Sequence, residues 1–150
     1  MWPIELVVGN GQGQVETQGI ELGMNVYLGT RWRFELNYDY FDWEVADSPQ
    51  ELVLSPNRAD NQLGLAAFYF ADRWDASFKY RWVDDFIWAS GLFIGPVPSY
   101  GVADLSCNYR FSKRWRAGLE VTNLFDNEHW EVFGGTLIGR RALVHLDIGW

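Results

Sequence analysis

The chain has 150 residues, a net charge of −8, one cysteine and 17% aromatic residues, nine of them Trp. That length holds one domain, the negative charge argues against a nucleic-acid partner, and the lone Cys107 forms no disulfide within the chain. No run of about 18 apolar residues is present, so no transmembrane helix is expected. Met1-Trp2-Pro3 also lacks the basic-then-apolar pattern of a secretory leader.

Residues 2–8 alternate Trp2, Ile4, Leu6 and Val8, with Pro3 placing them at a strand start or a sheet edge. The glycine-rich stretch 9–14 follows. No helix and no Lys-Ser/Thr pair comes after it, so it is no phosphate loop. A second strand runs over about 15–28, with Ile20, Leu22, Met24, Val26 and Leu28 on one face and Glu21, Gly23 and Asn25 on the other. Gly29-Thr30-Arg31 forms a tight turn into Trp32, Phe34, Leu36, Tyr38 and Tyr40, which alternate with Arg33, Glu35, Asn37 and Asp39. A long polar loop is expected over 42–60. Residues 63–70 form the next strand, although Phe68 and Phe70 blur its alternation. After the turn Ala71-Asp72-Arg73, Trp74, Ala76, Phe78, Tyr80 and Trp82 share one face. A second long loop is expected over 84–98. Ala103, Leu105, Cys107, Tyr109 and Phe111 face together in the sixth strand; Ser112-Lys113-Arg114 turns the chain; Trp115, Ala117, Leu119 and Val121 form the seventh. A third long loop, about 126–139, leads to the last strand, where Ala142, Val144, Leu146, Ile148 and Trp150 alternate with Arg141, His145 and Asp147.

The count is about eight strands, each long enough to cross a bilayer at a tilt, except the first. Their connections alternate between long loops and short turns. Outer-membrane barrels have short periplasmic turns and long extracellular loops, with apolar side chains toward lipid and polar ones toward the lumen. The sequence therefore predicts an all-β, antiparallel transmembrane β-barrel, a meander over residues 1–150. Trp32, Trp74 and Trp115 each open a strand directly after a short turn, as a membrane-interface girdle requires. Basic residues gather at the short turns (Arg31, Arg73, Lys113, Arg114) and acidic ones at the long-loop ends (Glu44, Asp60, Asp84, Asp85, Asp126, Glu131). An exported barrel needs a leader, so a piece of a longer chain is expected.

From Tyr100 onward the chain resembles the C-terminal end of a TonB-dependent outer-membrane receptor. The residues that carry the likeness are Val97-Pro98-Ser99-Tyr100, Asp104-Leu105, Tyr109-Arg110-Phe111 and Trp115. After them come Val121-Thr122-Asn123-Leu124-Phe125-Asp126, Gly139-Arg140 and the terminal aromatic strand. Asn123-Leu124-Phe125-Asp126 is the most specific element, and Gly19-Ile20-Glu21-Leu22 extends the likeness upstream. Trp150 stands where Phe is usual, and His129-Trp130 where Lys-Tyr would be common. The resemblance implies about the last third of a 22-stranded barrel, whose plug and energy-coupling box are not among these residues. It further implies a bacterial outer-membrane location and energised uptake of a scarce nutrient such as an iron-siderophore complex, cobalamin or an oligosaccharide. Its expected partners are outer-membrane lipid, lipopolysaccharide, the barrel assembly machinery and the TonB system, acting through that plug.

No catalytic, metal or cofactor residues are expected. His129 with Asp126, Glu128 and Glu131 is the one cluster that invites such a reading, and a solvated loop explains it better. Trp43, Trp88, His129 and Trp130 are the candidate loop contacts for a ligand. Val144, Leu146, Ile148 and Trp150 match an assembly signal, read by strand addition at an open edge. A self-contained eight-stranded barrel, serving as a membrane anchor or adhesin, is the alternative. It requires residues 2–8 to pair with the last strand.

Overall fold

The computed structural model describes residues 14–46 and 55–149. The expected strand at 2–8, most of the glycine-rich stretch, residues 47–54 and Trp150 lie outside them. Nine strands run in order: β1 (Gln14–Leu28), β2 (Trp32–Ala46), β3 (Asn61–Phe70), β4 (Trp74–Val83), β5 (Phe86–Ser90), β6 (Phe93–Val97), β7 (Tyr100–Arg110), β8 (Trp115–Thr122) and β9 (Arg141–Ile148). Seven form one antiparallel sheet, ordered β1-β2-β3-β4-β7-β8-β9, and β5-β6 is a separate hairpin inserted after β4. β1 and β9 are the two edges of this sheet among the described residues.

The short turns fall where the sequence puts them. Gly29 adopts φ 62°, the left-handed conformation that a tight turn needs and glycine supplies without steric cost. Ala71 N–H donates to the Trp74 carbonyl at 2.8 Å, closing the next turn. The register then carries the alternation across the whole sheet. Val26 lies opposite Phe34, Phe34 opposite Ala67, Ala67 opposite Phe78, Phe78 opposite Leu105 and Leu105 opposite Val121. The intervening residues make a polar face, where Lys79 lies opposite Asp104 and Ser77 Oγ sits 2.9 Å from Ser106 Oγ.

Three sequence expectations change. The stretch 84–98 is not structureless, because it holds the β5-β6 hairpin, with Gly91 at φ 60° in its turn. Two five-residue strands with Gly95-Pro96 in the second leave too little alternation to recognise. The loop expected from Asp42 begins later, since β2 stays paired with β1 through Thr17–Trp43 and Gln14–Ala46. Phe68, which blurred the pattern, belongs to the polar face: the Arg33 guanidinium lies 4.1 Å from its ring centroid and Lys79 Nζ 5.9 Å. An aromatic ring can sit among charges when cations cover its π-face.

The girdle fixes the strand tilt. Trp32 pairs with Tyr69 and Tyr69 with Ala76, so Trp74, two strands over, lies two residues nearer the turn. Trp74 pairs with Tyr109 and Tyr109 with Ala117, and Trp115 is again two residues nearer. Two residues are about 6.6 Å along a strand and two strand spacings about 9.6 Å, which puts the three tryptophans at one level when strands tilt by roughly 35°. Membrane barrels tilt by about 35–45°.

Among the described residues nothing covers the apolar face. Leu22 is 58% exposed and Val144 74%. Among the described residues the cluster of buried side chains (Ala59, Val83, Val97, Tyr100 and Val102) lies instead at the long-loop end. Val83 and Tyr100 are directly opposite each other on the polar face, next to Arg81 and Val102. The long connections thus fold over the polar face, which makes it the inside, and leave the apolar face for lipid.

Candidate functional site

The cap over that inner face is the part of the molecule where polar side chains converge. Its first component is the β5-β6 hairpin. Asn57, at φ 55°, grips β5: its Oδ1 accepts from Ala89 N at 2.6 Å and its Nδ2 donates to the Ala89 carbonyl at 3.0 Å. Ser55 Oγ donates to the Ile87 carbonyl at 3.2 Å. Phe86, Trp88 and Phe133 pack against the buried cluster. Gly95 is required for this packing, because a Cβ there would overlap the Phe133 ring.

Asn123 holds the second component, the loop between β8 and β9. It is 2% exposed and takes φ 53°, a conformation Asn tolerates better than most residues. Its N–H donates to Asp104 Oδ1 at 2.9 Å. Its Oδ1 accepts from Asn127 N at 2.9 Å, while Nδ2 donates to the carbonyls of Asn127 at 3.0 Å and Ile138 at 3.2 Å. Asp126 accepts from Arg140 N at 2.8 Å, and Leu124 N donates to the Ala103 carbonyl at 2.7 Å. Phe125 is 72% exposed. The Asn-Leu-Phe-Asp element is thus a staple that closes both ends of the loop, with a ring left outward.

The loop then returns to the wall. The His129 ring stacks on Tyr100, with centroids 4.4 Å apart, and its Nδ1 lies 2.8 Å from the Asn127 carbonyl, a contact that puts the donor hydrogen on Nδ1. Nε2 is buried without a hydrogen-bond partner, 3.6 Å from Glu131 Oε1. Arg81, on β4, donates to the same Glu131 oxygen at 2.6 Å and to the Tyr100 hydroxyl at 3.4 Å. The hydrogen bond from Arg81 holds the Glu131 carboxyl below its usual range, against an opposing push from burial.

The four ligand-contact candidates separate here. Trp43 stands on β2 opposite Thr17, half-buried, and not in a free loop. Trp88 packs on the buried cluster, and His129 is 7% exposed. Trp130, 39% exposed, is the one presented to solvent. Val144, Leu146 and Ile148 share the outer face of β9 and are 74%, 55% and 46% exposed. No site role for Arg81 or Asn57 is legible in the sequence, and Asp104 stands out there only through the family likeness. Arg81 and Glu131 are 50 positions apart, so no local pattern joins them. Among the described residues no group of three or more His, Cys, Asp or Glu side chains is arranged to hold a metal.

Comparison with known proteins adds the family. The domain described as TonB dependent receptor-like, beta-barrel, matches residues 4–124. This chain belongs to the TonB-dependent receptor β-barrel family. Its place is the outer membrane, and the members of this family are transport receptors, not enzymes. The receptor barrel is similar in fold to the ferripyoverdine receptor of Pseudomonas aeruginosa bound to ferripyoverdine, with 17% identity over 89% of this chain, 19% of that chain and a TM-score of 0.72. The siderophore receptor PiuA of Acinetobacter baumannii gives 20% identity over 91% of this chain and 22% of its own, with a TM-score of 0.72. The copper transporter OprC gives 19% over 89% and 23%, with a TM-score of 0.68. The receptor barrel thus spans about a fifth of the length of these structures. No curated protein sequence matches it.

Proposed function

We propose that this receptor barrel is the C-terminal part of a larger barrel whose complete protein takes up an iron-siderophore complex, with energy delivered by the TonB system through a plug. The observation that carries this reading is the family match over residues 4–124, joined to a fold shared with two siderophore receptors. In this reading the segment contributes wall and cap and performs no bond chemistry. The cap is braced from within by Asn123 and the Arg81–Glu131 pair, so a loop surface bearing Trp130 and Phe125 is held at the outer mouth. A rigid rim of this kind lowers the ordering cost of capturing a bulky ligand. Lipopolysaccharide would contact the outer end of the wall, and the assembly machinery would engage β9, whose outward edge has no pairing partner among the described residues.

Uptake of radiolabelled iron by iron-starved cells, with and without the gene, tests the proposal across a panel of purified ferric siderophores. One ferric siderophore whose uptake falls on deletion, and falls again when the TonB system is de-energised, is expected. Undiminished iron uptake beside a loss of cobalamin, copper or oligosaccharide uptake would overturn the substrate class.

A further inference from the structure

The short-turn end of the polar face gathers positive charge that the transport reading does not use. The register builds it. Arg110 N donates to the Arg73 carbonyl at 2.7 Å, which sets these two residues opposite each other, and Arg110 is in turn opposite Arg116. Asp147, on β9, lies opposite Arg116 and ends the row. Three arginines therefore stand side by side, at the start of β4, on β7 and on β8. Directly opposite residues hold their Cβ atoms about 4.5–5.5 Å apart, and like charges so placed repel.

A hollow of ≈ 320 Å³ opens beside this row, and its lining includes Arg110, Ser112, Lys113, Arg114, Arg116 and Asp147. Four of those side chains are cations and one is a carboxylate, in a chain whose net charge is −8. The neighbouring Asp75 carboxylate is already engaged. Its Oδ2 accepts from Asn108 Nδ2 at 2.8 Å and its Oδ1 from Arg116 Nη2 at 3.4 Å. Asp147 leans away toward water, with its side chain 64% exposed and Oδ2 4.0 Å from His145 Nε2. Among the described residues the side chains of Arg73, Arg110, Lys113 and Arg114 make no ion pair or hydrogen bond. The turn that presents Lys113 and Arg114 is closed, because Phe111 N and Ser112 N donate to the Trp115 carbonyl at 3.0 and 3.3 Å. Ser112 Oγ accepts from Arg114 N at 3.2 Å and holds its tip.

An anion in this hollow converts the mutual repulsion of the row into attraction. Guanidinium forks match phosphate oxygens two at a time, and a phosphate group brings nearly two negative charges to share among several cations. Arg110 and Arg116 belong to the polar face, so the hollow is reached from water. We infer that it binds one phosphate group, with Arg110 and Arg116 on its oxygens and Lys113 and Arg114 beside it from the turn. The inference rests on the receptor-barrel reading only in taking the polar face as the inside. It does not depend on which nutrient is carried.

The test is equilibrium dialysis of radiolabelled inorganic phosphate against the full-length receptor in nonionic detergent, at low ionic strength where exposed charges are least screened. Saturable binding of one phosphate per receptor is expected. Arg110→Gln should weaken it on the order of tenfold, the loss of one charge-assisted hydrogen bond. Lys113→Gln/Arg114→Gln should weaken it as well. Asp147→Asn removes the carboxylate of the lining and should tighten binding, which a merely structural role would not do. Arg31→Gln, on a short turn outside the lining, should leave binding unchanged. Heat-modifiable gel mobility confirms that each variant is folded. A second arm reads retained phosphatidylglycerol by native mass spectrometry. Retention that is lost in Arg110→Gln, without binding of inorganic phosphate, assigns the phosphate group to a lipid headgroup; inorganic phosphate bound without such lipid assigns it to a soluble source. Binding of neither, undiminished binding in Arg110→Gln, or equal weakening in Arg31→Gln would overturn the site. Iron uptake is scored separately, and its failure in the unaltered receptor bears on the substrate class alone.

Discussion

Asn123 carries more of the cap than any other single side chain. Four hydrogen bonds through its side chain and N–H connect β7, the start of the loop and the strand-like return at Ile138. Asn123→Ala removes three of them and leaves buried backbone groups unpaired, at a cost of about 3 kcal/mol. The effect should be local. Limited proteolysis of whole cells should show faster cutting between 124 and 140, with barrel mobility on gels unchanged. Glu131 adds a pH dependence. Its carboxyl is held low by the Arg81 hydrogen bond, so the folded form favours the charged state. The stabilisation is fully present above the ordinary carboxylate range and is lost as pH falls through the lowered folded value. The acrylamide quenching assigned to Trp130, taken as the difference between the receptor and its Trp130→Phe variant, should increase on acidification. In Glu131→Gln the rise should be absent, because the group no longer titrates. The Asn-Leu-Phe-Asp element was legible in the sequence as a family mark. Its bonding was not, since Asp104 comes from β7 and Ile138 returns only when the loop closes.

At the scale of elements, long alternating segments were legible and the short hairpin was not. β1, β2, β4, β7, β8 and β9 each repeat apolar and polar residues over about eight positions or more, and a one-residue slip would turn their apolar side chains inward. The β5-β6 hairpin has five residues a side and draws its order from Asn57 and Phe133, which belong to other loops. Gly95→Ala should force the Phe133 ring away, with an overpacking penalty of about 1–3 kcal/mol. Hydrogen exchange of the amides in 86–97 should accelerate while those of β4 and β7 hold steady. Asn57→Ala should produce the same acceleration by removing both bonds to Ala89. Unchanged protection in both variants would show that the hairpin is held by something other than these two contacts.

For the whole molecule, the decisive feature is an open sheet. β1 and β9 are its edges among the described residues, and both faces of β9 are largely exposed, with Leu143 at 59% and Val144 at 74%. Exposed edges seek partners. If the receptor-segment reading holds, refolding these 150 residues alone into vesicles should give aggregates or edge-paired oligomers. A sharp, heat-modifiable monomer band would instead mean that residues 2–8 close an eight-stranded barrel with β9. What the sequence alone determined was the strand order, the lipid-facing residues and the tryptophan level, because period-two alternation and turn chemistry are local and survive without knowledge of neighbours. Only the tertiary structure decided how the cap is braced and where the β5-β6 hairpin packs. Each of those depends on side chains from strands that the chain visits tens of residues apart, and contact across such distances leaves no periodic trace.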